Sequence, residues 1–177
     1  NFVHLVIVGM SRMGVAMAIE AAHLCHYPNY ENKQIRTKIT FIDKNAAEEK
    51  NFFIGRFKEL FALSHWRYGN INKNGVLEWN PQDIHIPTGF EYLGGDFLDI
   101  EWEFINGSVE NPAIQKYLED ASRNMNAKMT IAICLPENSR AIAAATYLPS
   151  CIYEETSTQQ VLVYQRLDDE LLNQINY

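Results

Sequence analysis

Apolar residues along this chain fall into short, dense, β-branched runs separated by longer stretches with helical spacing. Val3, Leu5, Val6, Ile7 and Val8 form the first run, and Gly9 closes it. A run that is apolar at consecutive positions, not alternate ones, suits a strand buried on both faces. Residues 15–25 then place Val15, Ala16, Ala18, Ile19, Ala22, His23 and Cys25 in an alanine-rich helix whose small residues suit close packing on a sheet. Pro28, Asn29 and Asn32 mark the loop after it. Residues 35–44 read as a second strand, in which Ile39, Phe41 and Ile42 lead to Asp43. Residues 46–63 read as one helix, with Phe52, Phe53, Phe57, Leu60 and Phe61 as an aromatic, core-facing stripe.

The same alternation returns in the second half. Residues 100–105 predict a third strand, with Asn106-Gly107-Ser108 as its loop. Asn111-Pro112 reads as a helix start, with asparagine as N-cap and proline in the first helical position. The helix over 113–124 carries Ile114, Tyr117, Leu118 and Ala121 at helical spacing. Residues 129–135 predict a buried strand, 140–148 a small-residue helix that Pro149 ends, 160–165 a fifth strand and 168–175 a further helix. Residues 64–99 break the rhythm. Asn74-Gly75 between two aromatic-rich segments signals a hairpin, and Pro81, Pro87, Gly89, Gly94 and Gly95 mark turns. This stretch reads as an insertion of one or two hairpins. Trp66, Tyr68, Trp79, Phe90 and Tyr92 would cover the sheet edge or form a contact surface.

The order predicts an α/β fold: a Rossmann-like, doubly wound, mostly parallel sheet with flanking helices and a β-hairpin insertion. Residues 1–177 form one such domain. The chain opens inside a strand pattern and closes in a helical one, as expected of a domain cut from a longer polypeptide. In this fold a ligand sits above the carboxyl ends of the strands where the strand order reverses. The turn Gly9-Met10-Ser11-Arg12-Met13-Gly14 falls at such an end, between strand and helix. It approximates G-x-G-x-x-G, whose glycines let the backbone approach a pyrophosphate at a helix N-terminus. Ser11 stands at the middle glycine position. Its side chain either donates to a phosphate or narrows the space. Asp43, at the tip of the second strand, is the expected partner of a ribose 2′-hydroxyl, or else a turn residue. Lys44 beside it favours a phosphate, which leaves the nucleotide open. Gly107-Ser108 and residues 134–137 also fall at strand ends.

Composition narrows the classes. The net charge is −7 over 177 residues and the pI is near 5.2, which argues against a nucleic-acid or anionic-membrane surface. Three cysteines, Cys25, Cys134 and Cys151, lie in or beside apolar runs. An odd number of buried thiols predicts a reducing, cytoplasmic setting. No apolar run reaches the ~18 residues of a membrane span. Neither Tyr-x-x-x-Lys, a Walker A lysine, Cys-x-x-Cys nor His-Glu-x-x-His occurs. His23, Cys25 and His26 lack a visible further ligand, so packing is expected there instead of metal.

Arg12 inside the glycine turn, the strand end Ile-Thr-Phe-Ile-Asp at 39–43 and the segment INGSVENPAIQKYLEDA at 105–121 together resemble the TrkA-N domain. This is the regulator-of-potassium-conductance (RCK) nucleotide-binding domain of potassium channels and transporters. The matching residues are Gly9, Arg12, Gly14, Asp43, Gly107, Ser108 and the loop Leu135-Pro136-Glu137-Asn138. The chain departs from the family pattern at Ser11, at Ser108 where the family usually has aspartate, and in the 64–99 insertion. The resemblance implies a cytoplasmic, non-enzymatic sensor of an adenine nucleotide, NAD(H) first and ATP or ADP next. It would form a homodimer or a higher ring and report to a membrane ion channel or transporter subunit, in cis or in trans. Gly9, Met10, Ser11, Arg12, Met13 and Gly14 would then hold the pyrophosphate, with Arg12 near a phosphate. Asp43 would accept from the ribose, Ser108 and Val109 would edge the adenine, and Leu135 and Pro136 would border the far ribose. Two other readings stand beside it: the cofactor domain of an NAD-dependent oxidoreductase, and a degenerate Rossmann interaction module that binds no nucleotide.

Overall fold

Pairing of the dense apolar runs builds one seven-stranded sheet. The structure, a computed structural model, describes residues 2–26, 35–87, 99–154 and 160–164. The loop expected at Pro28, Asn29 and Asn32, the positions Gly89, Phe90, Tyr92, Gly94 and Gly95, and the helix expected at 168–175 lie outside the described residues. The strands are Phe2–Val8 (β1), Thr37–Asp43 (β2), His65–Ile71 (β3), Leu77–His85 (β4), Ile100–Asn106 (β5), Ala127–Ile133 (β6) and Gln160–Val163 (β7). Across the sheet their order is β4-β3-β5-β2-β1-β6-β7. Every pairing is parallel except that of β3 with β4. The fold is Rossmann-like, and the order reverses at β1, between β2 and β6.

The expected hairpin is present as β3 and β4, and it joins the main sheet, because β3 pairs in parallel with β5. The chain leaves β2, skips one position to lay down β3, turns back as β4, and later threads β5 into the gap. Sequence order gave no sign of that gap. Asn72 makes the turn, its side-chain oxygen accepting from the amides of Asn74 and Val76. Pro81 lies in β4, the edge strand, where its missing N–H breaks no ladder. Trp66 stacks on His85 and meets Phe104 edge-on, and Tyr68 is buried. These aromatics cover the sheet.

Helices clothe both faces. Arg12–Leu24 (α1), Ala46–Arg56 (α2) and Lys58–Ala62 (α3) cover one; Pro112–Ser122 (α4) and Asn138–Tyr147 (α5) cover the other. The helix expected over 46–63 is two, because Phe57 leaves helical conformation at φ −120°, ψ 49°. The break turns Leu60 and Phe61 into the core; within α2, Phe53 is buried and Phe52 is exposed, against expectation. On the first face Phe41 stacks on Trp102 and Phe104, and Phe53 meets Phe41, Phe61 and Trp102 edge-on. On α1, Gly14, Ala18 and Ala22 are the buried stripe. Asn111 caps α4 by accepting from the Ala113 amide at 2.9 Å.

The second face is split along its length. Near the carboxyl ends it is apolar: Val8, Ile42, Ile105 and Ile133 against Ile114 and Ala141. Midway along the strands a polar chain crosses it. Arg67 Nε donates to Glu103 at 2.9 Å, and its guanidinium lies 3.7 Å from the Trp79 ring centre. Thr40 and Tyr117 donate to the other Glu103 oxygen, and His4 Nε2 lies 2.8 Å from Thr40 Oγ1. Because the Thr40 proton goes to Glu103, His4 serves as donor with its proton on Nε2. Burial pushes the Glu103 carboxyl up, but the Lys38 and Arg67 charges and the hydrogen bonds from Tyr117 and Arg67 outweigh it and hold the pKa below the ordinary value. That is the condition under which a fully buried carboxylate is tolerated.

Burial holds the His4 imidazole down at about 4, against an opposing pull from Glu103. An unfolded His4 takes a proton near pH 6.5 and the folded one does not. Stability from this group is therefore complete above pH 6.5 and falls as pH drops towards 4, by up to about 3 kcal/mol. Denaturant unfolding measured across that window should show the loss in the wild type and a shallower slope in His4→Phe. His65, also held near 4 by burial, leaves the variant a residual slope. An equal slope in both proteins would remove His4 from the account.

Candidate functional site

The loop after β1 is built by close approach. Gly9 has φ +105°, and a Cβ there would lie 2.9 Å from the Cys134 carbonyl oxygen. Gly14, in the first turn of α1, packs so tightly that a Cβ would collide with the Gly9 carbonyl oxygen and reach 3.0 Å from Ile7 Cγ2. Only glycine lets the start of α1 sit this low on β1. Backbone bonds tie the loop to both neighbouring strands: the Gly9 amide donates to Ile42 O at 2.9 Å, and the Cys134 amide to Val8 O at 2.8 Å. α1 begins at Arg12, three residues before the expected start, so Arg12 and Met13 belong to its first turn. Ser11 is the N-cap, and its hydroxyl accepts from the Gly14 amide at 3.2 Å.

Asp43 braces the next loop. One carboxylate oxygen accepts from the Met10 amide at 2.8 Å and the other from the Asn45 amide at 2.7 Å. The turn-residue role weighed for Asp43 is thus present in the structure. Each oxygen keeps lone-pair capacity for a second donor. The Gly107 amide donates to Asp43 O at 3.0 Å, and the Asn106 side chain accepts from the Ala47 amide at 3.0 Å. The carboxyl ends of β1, β2 and β5 are therefore bonded to one another by groups of the chain itself.

Two cavities open above these ends. The first, about 390 Å3, is lined by Asp43, Lys44, Gly107, Ser108 and Val109 on one side and by Leu135, Pro136, Glu137 and Arg140 on the other. The second, about 680 Å3, is lined by Ser11, Arg12, Met13, Ala16, Cys134, Leu135, Pro136 and Tyr164. Leu135 and Pro136 form the ridge between them. Of the residues picked from the sequence, only Gly9, Met10 and Gly14 line neither. The two glycines are buried spacers, and the Met10 amide, expected among the pyrophosphate donors, is bonded to Asp43 instead.

The cavities differ in charge. The first holds three carboxylates, Asp43, Glu110 and Glu137, and two cations, Lys44 and Arg140. In the second, Arg12 is the one charged residue of the lining, which is otherwise mostly apolar. Burial pushes the Cys134 thiol up to about 11, so it faces that cavity uncharged. The sequence points to Glu137 only as part of the strand-end loop, with no role assigned, and does not point to Arg140. The helix was expected to start at 140, whereas α5 starts at Asn138 with Glu137 as its N-cap, which brings Arg140 into the first turn and onto the cavity. Tyr164, just past β7, could be placed only by the sheet. His26, near the end of α1, pairs with Asp99 at 2.8 Å. Among the described residues no cluster of three or more His, Cys, Asp or Glu is arranged to hold a metal, and no helix is long and apolar enough to cross a membrane.

Comparison with family models, with curated proteins and with solved structures returns no match for this chain.

Gly14→Ala should be costly, since the added methyl meets backbone and not a mobile side chain. About 3 kcal/mol is expected, at the upper end for overpacking, or a fall of roughly 6–12 °C in melting temperature for a domain of this size. Gly55→Ala, where a Cβ meets nothing within 4 Å, should leave the melting temperature unchanged or raise it. Equal melting of the two variants would contradict the close-approach account.

Proposed function

We propose that this chain is a regulatory module that binds an adenine nucleotide at the reversal point of its sheet, NAD(H) in the first instance and ATP or ADP in the second. The observation that carries the reading is the pair of cavities meeting over the ridge Leu135-Pro136, with the N-terminus of α1 beside them. A nucleotide needs an enclosed place for base and ribose, polar groups for the ribose hydroxyls, and a positive helix end for phosphate. The cavity bearing Asp43, Ser108 and Val109 suits the first two. The first turn of α1, with Arg12, suits the third.

The regulatory part of the proposal rests on the resemblance of the turn, the strand ends and the 105–121 segment to the TrkA-N and RCK domains. In that reading ligand binding favours one arrangement of a dimer or ring over another, and the change acts on an ion channel or transporter. Bonds among the β1, β2 and β5 ends support a pre-formed, rigid site. A second reading, a Rossmann module that binds no nucleotide, has specific support too. Ser11 already fills one amide of the helix end, and Asp43 already accepts two.

Thermal melting of the chain with NAD, NADH, ATP, ADP and NADP separates these readings. A ligand at 100 times its Kd stabilises by about 2.7 kcal/mol, which for a chain of this size is roughly 5–10 °C. A shift is expected with at least one adenine nucleotide and should be lost in Arg12→Glu, whose side chain is exposed and whose change leaves the core intact. No shift with any of the five would leave the non-binding module as the better account.

A further inference from the structure

We propose that Ser11 is an internal competitor for the phosphate of the ligand and sets the affinity of the site. The inference rests on the nucleotide-binding reading above. The first amides of a helix have no acceptor within the helix and are the groups that a bound phosphate uses. In α1 those amides belong to Arg12, Met13 and Gly14. The Ser11 hydroxyl already accepts from Gly14 at 3.2 Å, and the Met10 amide just before it is bonded to Asp43 at 2.8 Å. Two of the donors that a pyrophosphate would meet along this turn are thus filled from within the chain.

The hydroxymethyl group also stands where a glycine would leave the backbone open to the ligand. Ser11, Arg12 and Met13 all line the larger cavity, so a phosphate entering there meets the serine oxygen at the helix end. It must either displace that oxygen from the Gly14 amide or settle for the Arg12 and Met13 amides. Either way part of the interaction free energy is lost. Ser11 makes the site weaker and more readily emptied than the same fold with glycine, which suits a sensor whose occupancy follows ligand concentration.

Glycine is nearly as good an N-cap as serine, so Ser11→Gly should fold and melt within about 2 °C of the wild type. Isothermal titration with ADP and with NAD is the test. Ser11→Gly should bind the better of the two about tenfold more tightly than the wild type, the equivalent of one charge-assisted hydrogen bond regained. Ser11→Thr keeps both the hydroxyl cap and the Cβ and should bind no more tightly than the wild type. Equal or weaker binding by Ser11→Gly, with the wild type binding measurably, would overturn the role given to Ser11 and leave the nucleotide reading standing. Binding by Ser11→Gly alone would support that role and overturn nucleotide binding by the natural chain. No binding by either protein would overturn both.

Discussion

The contact between Gly14 and the Gly9 carbonyl is the constraint on which the working end of this protein depends. It sets how closely α1 approaches β1, and so where the positive end of the helix lies relative to the sheet. Everything above the carboxyl ends is measured from that point: the Ser11 cap, the first turn with Arg12, the ridge at Leu135-Pro136 and the two cavities beside it. The stripe Gly14, Ala18 and Ala22 continues the same close approach along the helix. A larger residue at any of these positions would lift α1 off the sheet and open the site from beneath.

The carboxyl ends and the middle of the sheet are held by different physics. At the carboxyl ends backbone amides are tied to carbonyls and to Asp43 and Asn106, bonds that fix loops without filling them. Midway along the second face, Arg67, Glu103, Thr40, Tyr117 and His4 form a polar chain in which each group satisfies the next. Such a chain stabilises little by itself, because desolvation offsets most of its attraction. Its effect is to specify register. Glu103 lies directly opposite Thr40 on β2 and Arg67 on β3, so a slip of either strand would strand a buried charge. That specification matters most for β5, which is paired on both sides, with β2 and with β3.

The loops at the site satisfy many of their own donors. Ser11 accepts from Gly14, and Asp43 accepts from Met10 and Asn45. Self-satisfaction makes the site rigid without a ligand, and it also leaves fewer groups for a ligand to use. In the proposed nucleotide-binding role the balance between those two effects would set the affinity, with Ser11 at its centre.

Much of the fold is legible in the sequence, since its signals are local. Dense apolar runs closed by glycine or asparagine specify strands buried on both faces, Asn111-Pro112 specifies a helix start, and the alternation of strand and helix specifies a parallel sheet. The glycine turn, Asp43, Gly107-Ser108 and Leu135-Pro136 are found at strand ends because the topology of such sheets puts them there. What only the tertiary structure decides is long-range. That β3 belongs to the main sheet depends on β5, some thirty residues further on, filling the gap between β2 and β3. The break at Phe57 serves the burial of Leu60 and Phe61, which no local signal marks. Arg140 and Tyr164 reach the cavities through the packing of α5 and β7. The polar chain through Glu103 joins residues from five elements. Hydrophobic period and turn chemistry are written within a few residues of where they act; partnership between distant side chains is not.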